Sequence, residues 1–320
     1  YGADAVLLIA ADLEPALYAQ LGRQAHELGL EVLLEVHDPQ ELVYLQSFVP
    51  DMLGVNKSRE ATCFPAAVTT ASSWDDSLLE RIGTAIAEEA RNQRVGMVLG
   101  PGANIKRDPL CGRNFEYLSE DPFLAGKLAA GFIRGLEKKG AASSLKHFAC
   151  NSQELDRFVS DSVIDERTLR EIYLSAFEIA VKEGKPSTVM CAYPKLNGVH
   201  CSDNKMLLTD ILRSEWGFEG AVITDWGAMN DRIEAFRAGC DLNMPGGAAY
   251  MEKEAAGAVR SGALSEAEVD ASAERVLRLI FRCAEAMTGE ACDYDAHDFL
   301  CEAAAVSGAV LLKNDDSLLP

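Results

Sequence analysis

Short apolar runs alternate with longer amphipathic stretches along the whole chain. The runs are AVLLIA (5–10), EVLLEV (31–36), DMLGVN (51–56), VGMVLG (95–100), SLKHFA (144–149), TVMCAY (188–193), AVITDW (221–226) and DLNMPG (241–246), eight in all. Between them, PALYAQLGRQAHELG, DSLLERIGTAIAEEARNQ, DPFLAGKLAAGFIRGLEKKG and DERTLREIYLSAFEIAVKEG repeat apolar residues at helical spacing. Continuous apolar strands alternating with helices indicate parallel strands covered on the outside. Eight such units in 320 residues predict an α/β fold, a (β/α)8 TIM barrel forming a single domain over 1–320, rather than an open sheet. The stretch SREATCFPAAVTTASSWDD (58–76) holds one further extended candidate, ATCFP. It is expected to be a connector; as a ninth strand it would make barrel closure irregular there.

Helix starts are marked by their chemistry. Ser119-Glu120-Asp121-Pro122 sets a capping Asp before Pro at the first helical position. Asp165-Glu166-Arg167 opens the next helix, and Ser265-Glu266-Ala267-Glu268 has the form of a capping box. A barrel keeps its chemistry in the loops after its strands. One of these, GPGANIKRDPLCGRNFEYLSEDP, is long enough to suggest function by its size alone.

Composition narrows the partners. The net charge of −20 repels a polyanionic backbone, which argues against nucleic acid and does not penalise a neutral sugar. No apolar run reaches the roughly 18 residues that span a bilayer, and no signal peptide opens the chain, so no membrane is expected. The nine cysteines lack CxxC spacing, and Cys191 and Cys240 sit inside apolar runs as small buried hydrophobes. That pattern points to a reducing, cytoplasmic compartment without a disulfide framework. The five histidines show no ligand spacing, so neither a metal nor another cofactor is expected.

Six stretches carry a family resemblance: ATCFPAAVTTASSWD, LGPGANIKRDPLCGRNFEYLSEDP, SLKHFACNSQE, DERTLREIYLSAFEIAVKEGKPSTVMCAY, LLTDILRSEWGFEGAVITDWGA and AGCDLNMPGG. They are colinear over about four-fifths of the chain, and the chain from about residue 61 to 320 resembles the catalytic barrel of glycoside hydrolase family 3, the β-glucosidase group. Residues 1–57 differ. YGADAVLLIAADL, LGLEVLLEVHDPQEL and PDMLGVNKSRE resemble three successive strands of indole-3-glycerol phosphate synthase, another (β/α)8 barrel. The Asp-Gly-Pro segment by which the hydrolases grip a sugar in the first subsite occurs nowhere in the sequence, and Asp51 is out of register with it. A switch near residues 56–61 predicts a chimera, an engineered recombination of two barrels. EAAAVSGAVLLKNDDSLLP resembles the exit from the barrel towards a second hydrolase domain, which is expected to be absent.

The hydrolase resemblance implies a set of site residues. Retaining glycosidases place two carboxyl groups about 5–5.5 Å apart, one a nucleophile and one an acid/base. Asp225 ends the strand AVITD and precedes Trp226, matching the family's Ser-Asp-Trp nucleophile motif with Thr224 in place of the Ser. A carboxylate at the C-terminal end of a barrel strand is where this fold keeps catalysis; the alternative is a helix cap. Lys146 and His147 would bind sugar hydroxyls, although adjacent strand residues face opposite sides unless the strand end bends. Arg113 offers a planar donor fork for vicinal hydroxyls, or anchors its loop through Glu116 or Glu120. The resemblance puts Tyr193 beside the nucleophile, its hydroxyl on the carboxylate; a core tyrosine is the alternative. Trp226 could stack on a sugar face, and Met244 either lines the pocket or packs.

The general acid lies outside the barrel in two-domain relatives, so no residue here is assigned to it. Three expectations follow: a β-glucosidase-derived barrel that binds a sugar or aryl β-glucoside with weak or no turnover, a chimeric scaffold without function, and a synthase-type lyase. For the last, Glu35 and Asn56 match active-site positions, but the synthase's lysines and phosphate site fall outside the borrowed segment. Exposed seams left by the absent domain are expected to favour a homodimer.

Overall fold

A computed structural model describes residues 5–10, 13–28, 30–36, 39–49, 52–55, 61–246 and 249–315. The chain divides into two compact units, Tyr1–Ala61 and Thr62–Pro320, and the boundary falls where the resemblance changes.

In the first unit β1 (Ala5–Ile9), α1 (Pro15–Glu27), β2 (Glu31–Val36) and β3 (Met52–Val55) follow in sequence, with a 3-10 turn over Pro39–Gln46. The three strands pair in parallel in the order β1-β2-β3. Proline at the first turn opens α1, where its missing N–H costs nothing. Tyr18 of α1 is fully buried and meets Tyr44 and Phe48 edge-on, with ring centroids 5.6 and 5.7 Å apart. Leu8, Val32 and Leu34 complete this small core. Glu35 lies on β2, opposite Ile9 and Gly54. Its side chain, together with Asp51 and Asn56, falls outside the described residues.

Residues 61–66, at the boundary, have no strand structure, so ATCFP is a connector, and the second unit then forms α2 (Ala67–Ala71) and α3 (Asp76–Asn92). Next come β4 (Met97–Val98), α4 (Pro122–Lys138), β5 (Ala142–Phe148) and β6 (Asp161–Ser162). The helical pattern after Asp165 folds as α5 (Glu166–Thr168) and α6 (Ser175–Ile179), each followed by a π-helical turn. Then follow β7 (Thr188–Cys191), β8 (Lys195–Leu196), β9 (Val199–His200), a π-helical segment over Met206–Glu215 and β10 (Ala221–Thr224). The helices α7 (Arg232–Ala238), α8 (Ala249–Ser261), α9 (Glu266–Ala286) and α10 (Tyr294–Ser307) finish the unit. The main sheet is parallel in the order β10-β7-β5-β4. Leu242, in the eighth apolar run, makes only an isolated parallel bridge to Ile223. A small sheet, β6-β8-β9, was not signalled by the pattern.

The fold is thus α/β with two main parallel sheets, while the described strands form three separate sheets and no closed barrel. Strands β7 and β10 are buried along their full length, which is why they read as unbroken apolar runs. Phe148 packs on Phe177 and Trp216, with centroids 5.2 and 5.8 Å away, joining the sheet to its covering helices. The anticipated caps form: Asp121 accepts from Leu124 N, Asp165 from Thr168 N, and Ser265 with Glu268 makes the capping box. All nine cysteines are free thiols, with Cys191 and Cys240 fully buried. Among the described residues no His, Cys, Asp and Glu cluster could hold a metal ion, and no helix is long and apolar enough to cross a membrane.

Two features hold the sheet to its helices. Helices α3 and α4 touch backbone to backbone, because a Cβ at Gly135 would lie 2.2 Å from the Glu80 carbonyl oxygen, and one at Gly131 2.3 Å from that of Asp76. Beneath β10, the fully buried Asp241 carboxylate accepts from Arg275 at 2.8 and 2.9 Å, from Arg213 at 2.9 Å and from Val222 N at 2.8 Å. Asp241→Asn leaves two arginines short of their countercharge and is expected to cost about 3–5 kcal/mol in urea unfolding. Gly135→Ala is expected to cost about 1–3 kcal/mol by overpacking the α3–α4 contact. Gly257→Ala, on α8 with only the far end of Arg260 within 4 Å, is expected to stabilise by about 0.5–1 kcal/mol in the same assay.

Candidate active site

Three neighbouring parallel strands deliver the predicted residues to one edge. Asp225 directly follows β10, and its N–H donates to the Cys191 carbonyl at the end of β7 at 3.1 Å. Tyr193 lies two residues past β7, and Lys146 and His147 sit near the end of β5. The bend needed for both of the last two to face the site is present. The β5–β7 register shifts between Leu145 and Phe148.

The long loop supplies the fourth wall. Gly102 bridges both Lys146 and Tyr117, and a Cβ there would sit 2.9 Å from the Tyr117 ring. Asn104, buried in the same loop, grips the His147 backbone from both sides. Its Nδ2 donates to the His147 carbonyl at 2.9 Å, and its Oδ1 accepts the His147 N–H at 2.8 Å. Arg113 pairs with Glu116, lies 4.0 Å from Glu154, and places Nη2 2.8 Å from His147 Nε2. It therefore anchors its loop and reaches the site together. Lys146 Nζ holds the other Glu116 oxygen at 3.0 Å.

His147 is 1% exposed and its Nε2 lies 3.3 Å from Asp225 Oδ2. The contact is not an ion pair. Burial, then the positive charges of Arg113, Lys146 and Arg157, push the imidazole pKa well below its ordinary value, so the ring is neutral. Asp225 Oδ1 accepts the Trp226 N–H at 2.7 Å, while Oδ2 is buried with no hydrogen-bond donor. Burial raises the Glu116 carboxyl, but the Arg113 hydrogen bond and the Lys146 charge outweigh it and hold the group below the usual range.

Tyr193 stands beside the carboxylate. Its hydroxyl donates to the Trp226 carbonyl at 2.8 Å and also lies close to the Asp225 carboxylate. Burial, then the Asp225 charge, raises the tyrosine's pKa. Arg157 lies 4.2 Å over the Tyr193 ring, with Phe158 packed at 4.5 Å. Trp226 is 55% exposed beside the carboxylate. Met244 is half-buried, and its backbone ties the loop down: its N–H donates to Thr224 Oγ1 at 2.8 Å and its carbonyl accepts from Gly227 N at 2.7 Å.

Asn104, Tyr117, Asn151, Glu154 and Arg157 were not identified from the sequence. The first two lie in the long loop already marked by its length, and the others follow the strand SLKHF within a few residues. A cavity of about 220 Å³ is bordered by Glu116 and Lys146 together with Phe64, Leu118 and Phe132, but not by Asp225.

This arrangement can be set beside known proteins. The family model "Glycosyl hydrolase family 3 N terminal domain" matches residues 51–279, and that for indole-3-glycerol phosphate synthase matches residues 1–88. The chain is 51% identical to thermostable beta-glucosidase B of Acetivibrio thermocellus over 299 residues, covering 93% of this chain and 40% of that protein. It is 48% identical to an exo-alpha-(1->6)-L-arabinopyranosidase of Bifidobacterium breve over 268 residues, 83% of this chain and 35% of that one. The chain thus spans well under half the length of these relatives. Among solved structures, beta-glucosidase 3B of Thermotoga neapolitana in complex with glucose aligns at TM-score 0.77 and 42% identity, over 82% of this chain and 39% of that one. A Bifidobacterium adolescentis GH3 beta-glucosidase aligns at TM-score 0.80 and 41% identity, over 97% of this chain and 46% of that one. With a family model covering most of its length, this chain belongs to glycosyl hydrolase family 3, whose N-terminal domain contains the strands that gather around Asp225.

Proposed function

We propose that this chain carries the nucleophile side of a retaining glycosidase acting on β-glucosides. One observation supports this most directly: Asp225 Oδ2 has no hydrogen-bond donor, and it stands between the Arg113–Glu116–Lys146 network and the exposed indole of Trp226. In the first step Oδ2 attacks the anomeric carbon. The carbon–oxygen bond to the leaving group breaks, and that oxygen takes the electron pair and a proton from a general acid. Water then displaces Asp225 from the glycosyl ester. Arg113 and Lys146 face sugar hydroxyls as donors, and Trp226 offers an aromatic face. The Thermotoga relative's complex with glucose supports a sugar of this class.

Neither neighbouring carboxylate suits the acid role. Glu116 is held ionised by Arg113 and Lys146, and Glu154 accepts from Asn151 and Arg157. The acid therefore comes from outside this group of residues, and turnover by these 320 residues alone is weak. For the architecture, the seven main parallel strands and the extended segment at Leu242 support a (β/α)8 barrel. The synthase match over residues 1–88 favours a mixed origin for the first unit. The 93% coverage by beta-glucosidase B, which extends beyond the 259 residues of the second unit, favours ordinary family descent.

A 2-fluoro-glucosyl inactivator is expected to add one label to Asp225 by mass spectrometry and none to the Asp225→Asn variant; an unlabelled Asp225 in folded protein sinks the assignment. Aryl glucosides whose leaving groups need no proton are expected to react about 10²–10⁴-fold faster than alkyl glucosides in steady-state assays.

A further inference from the structure

The hydrogen bonds around His147 determine where its proton sits. Arg113 is always protonated and can only donate, so its Nη2, 2.8 Å away, requires a lone pair on His147 Nε2. A neutral imidazole then carries its proton on Nδ1, which faces the Tyr117 hydroxyl at 3.1 Å. That hydroxyl also accepts from Asn151 Nδ2 at 2.9 Å and donates to the Asn151 carbonyl at 3.3 Å. Two accepted bonds and one donated bond use the whole capacity of a phenol, so the assignment closes without a conflict. Asp225 Oδ2 then looks at the Nε2 lone pair, which has no proton to give.

We propose that Tyr117 is a positioning residue: by accepting a hydrogen bond from Nδ1–H of His147 it keeps Nε2 unprotonated, and so keeps the lone pair that holds the Arg113 guanidinium at the site. The opposite tautomer would set an N–H against the Arg113 donor, 2.8 Å away, and displace the guanidinium. Tyr117 touches neither the carboxylate nor the sugar in this scheme; it acts through the imidazole. Its value to the reaction rests on Asp225 being the nucleophile, whereas the tautomer itself does not.

Histidine-labelled protein read by nitrogen NMR tests both parts, with His147→Gln used only to assign the resonance. The expected result is a protonated Nδ1 and an unprotonated Nε2 that do not titrate between about pH 5 and 8. A protonated Nε2, or an imidazolium within that range, overturns the proposal. In Tyr117→Phe the Nε2–H population is expected to rise, and labelling of Asp225 by the fluoro-sugar to slow at least about tenfold, the effect of losing one hydrogen bond that holds the Arg113 donor in place. Unchanged tautomer populations in folded Tyr117→Phe overturn the role of Tyr117. Protein carrying 3-fluorotyrosine keeps the packing and gives an independent reading: the His147 Hδ1 resonance is expected to move, and a fixed resonance again overturns the role. Failure of labelling in the unmodified protein counts against the nucleophile assignment and leaves the NMR result standing.

Discussion

Burying a histidine among three cations is unfavourable unless the ring gives up its charge, and each of its nitrogens then needs one partner of the correct kind. His147 meets both conditions, with Arg113 donating to Nε2 and Tyr117 at Nδ1. Much of the site is arranged around that requirement. Asn104 fixes the His147 peptide, Gly102 lets the loop lie close enough to bring Tyr117 in, and Asn151 orients the Tyr117 hydroxyl. The carboxylate of Asp225 sits at the end of this chain of contacts rather than at its beginning.

The sheet explains why these groups meet. Parallel pairing of β10, β7 and β5 brings the strand ends to one edge, so Asp225, Tyr193 and His147 arrive from three separate parts of the sequence. At the opposite ends of the same strands the polar groups hold the fold together. Glu137 accepts from Ser143 and Ser187 and pairs with Arg282, while Asp241 joins Arg213 and Arg275. The same separation of chemistry and stability is expected wherever parallel strands carry their loops at one end.

Charge is handled differently in the two halves of the site. Arg113 and Lys146 share the Glu116 carboxylate within hydrogen-bonding distance, which makes their donors rigid and directional. Asp225 has one oxygen fixed by the Trp226 N–H and the other without a donor. A carboxylate anchored at one oxygen and free of hydrogen-bond donors at the other suits covalent attack, because orientation is held without quenching the reacting lone pair.

The strands, the long helices and their caps were legible in the sequence because each depends on local periodicity and on a polar residue a few positions away. Asp225, Lys146, His147 and Arg113 were legible for a related reason: strand ends and an overlong loop mark themselves in the chain. The short strand β4 and the lone bridge at Leu242 were less distinct, since apolar runs state burial but not how many residues pair. The sequence by itself determined which groups reach the edge of the sheet. Only the tertiary structure decided what each one does with its proton: Tyr193 donates to a backbone carbonyl beside Asp225, and His147 holds its hydrogen on the side away from the carboxylate. Those choices follow from partners 30 or more residues distant, and no local pattern encodes a hydrogen bond across that separation.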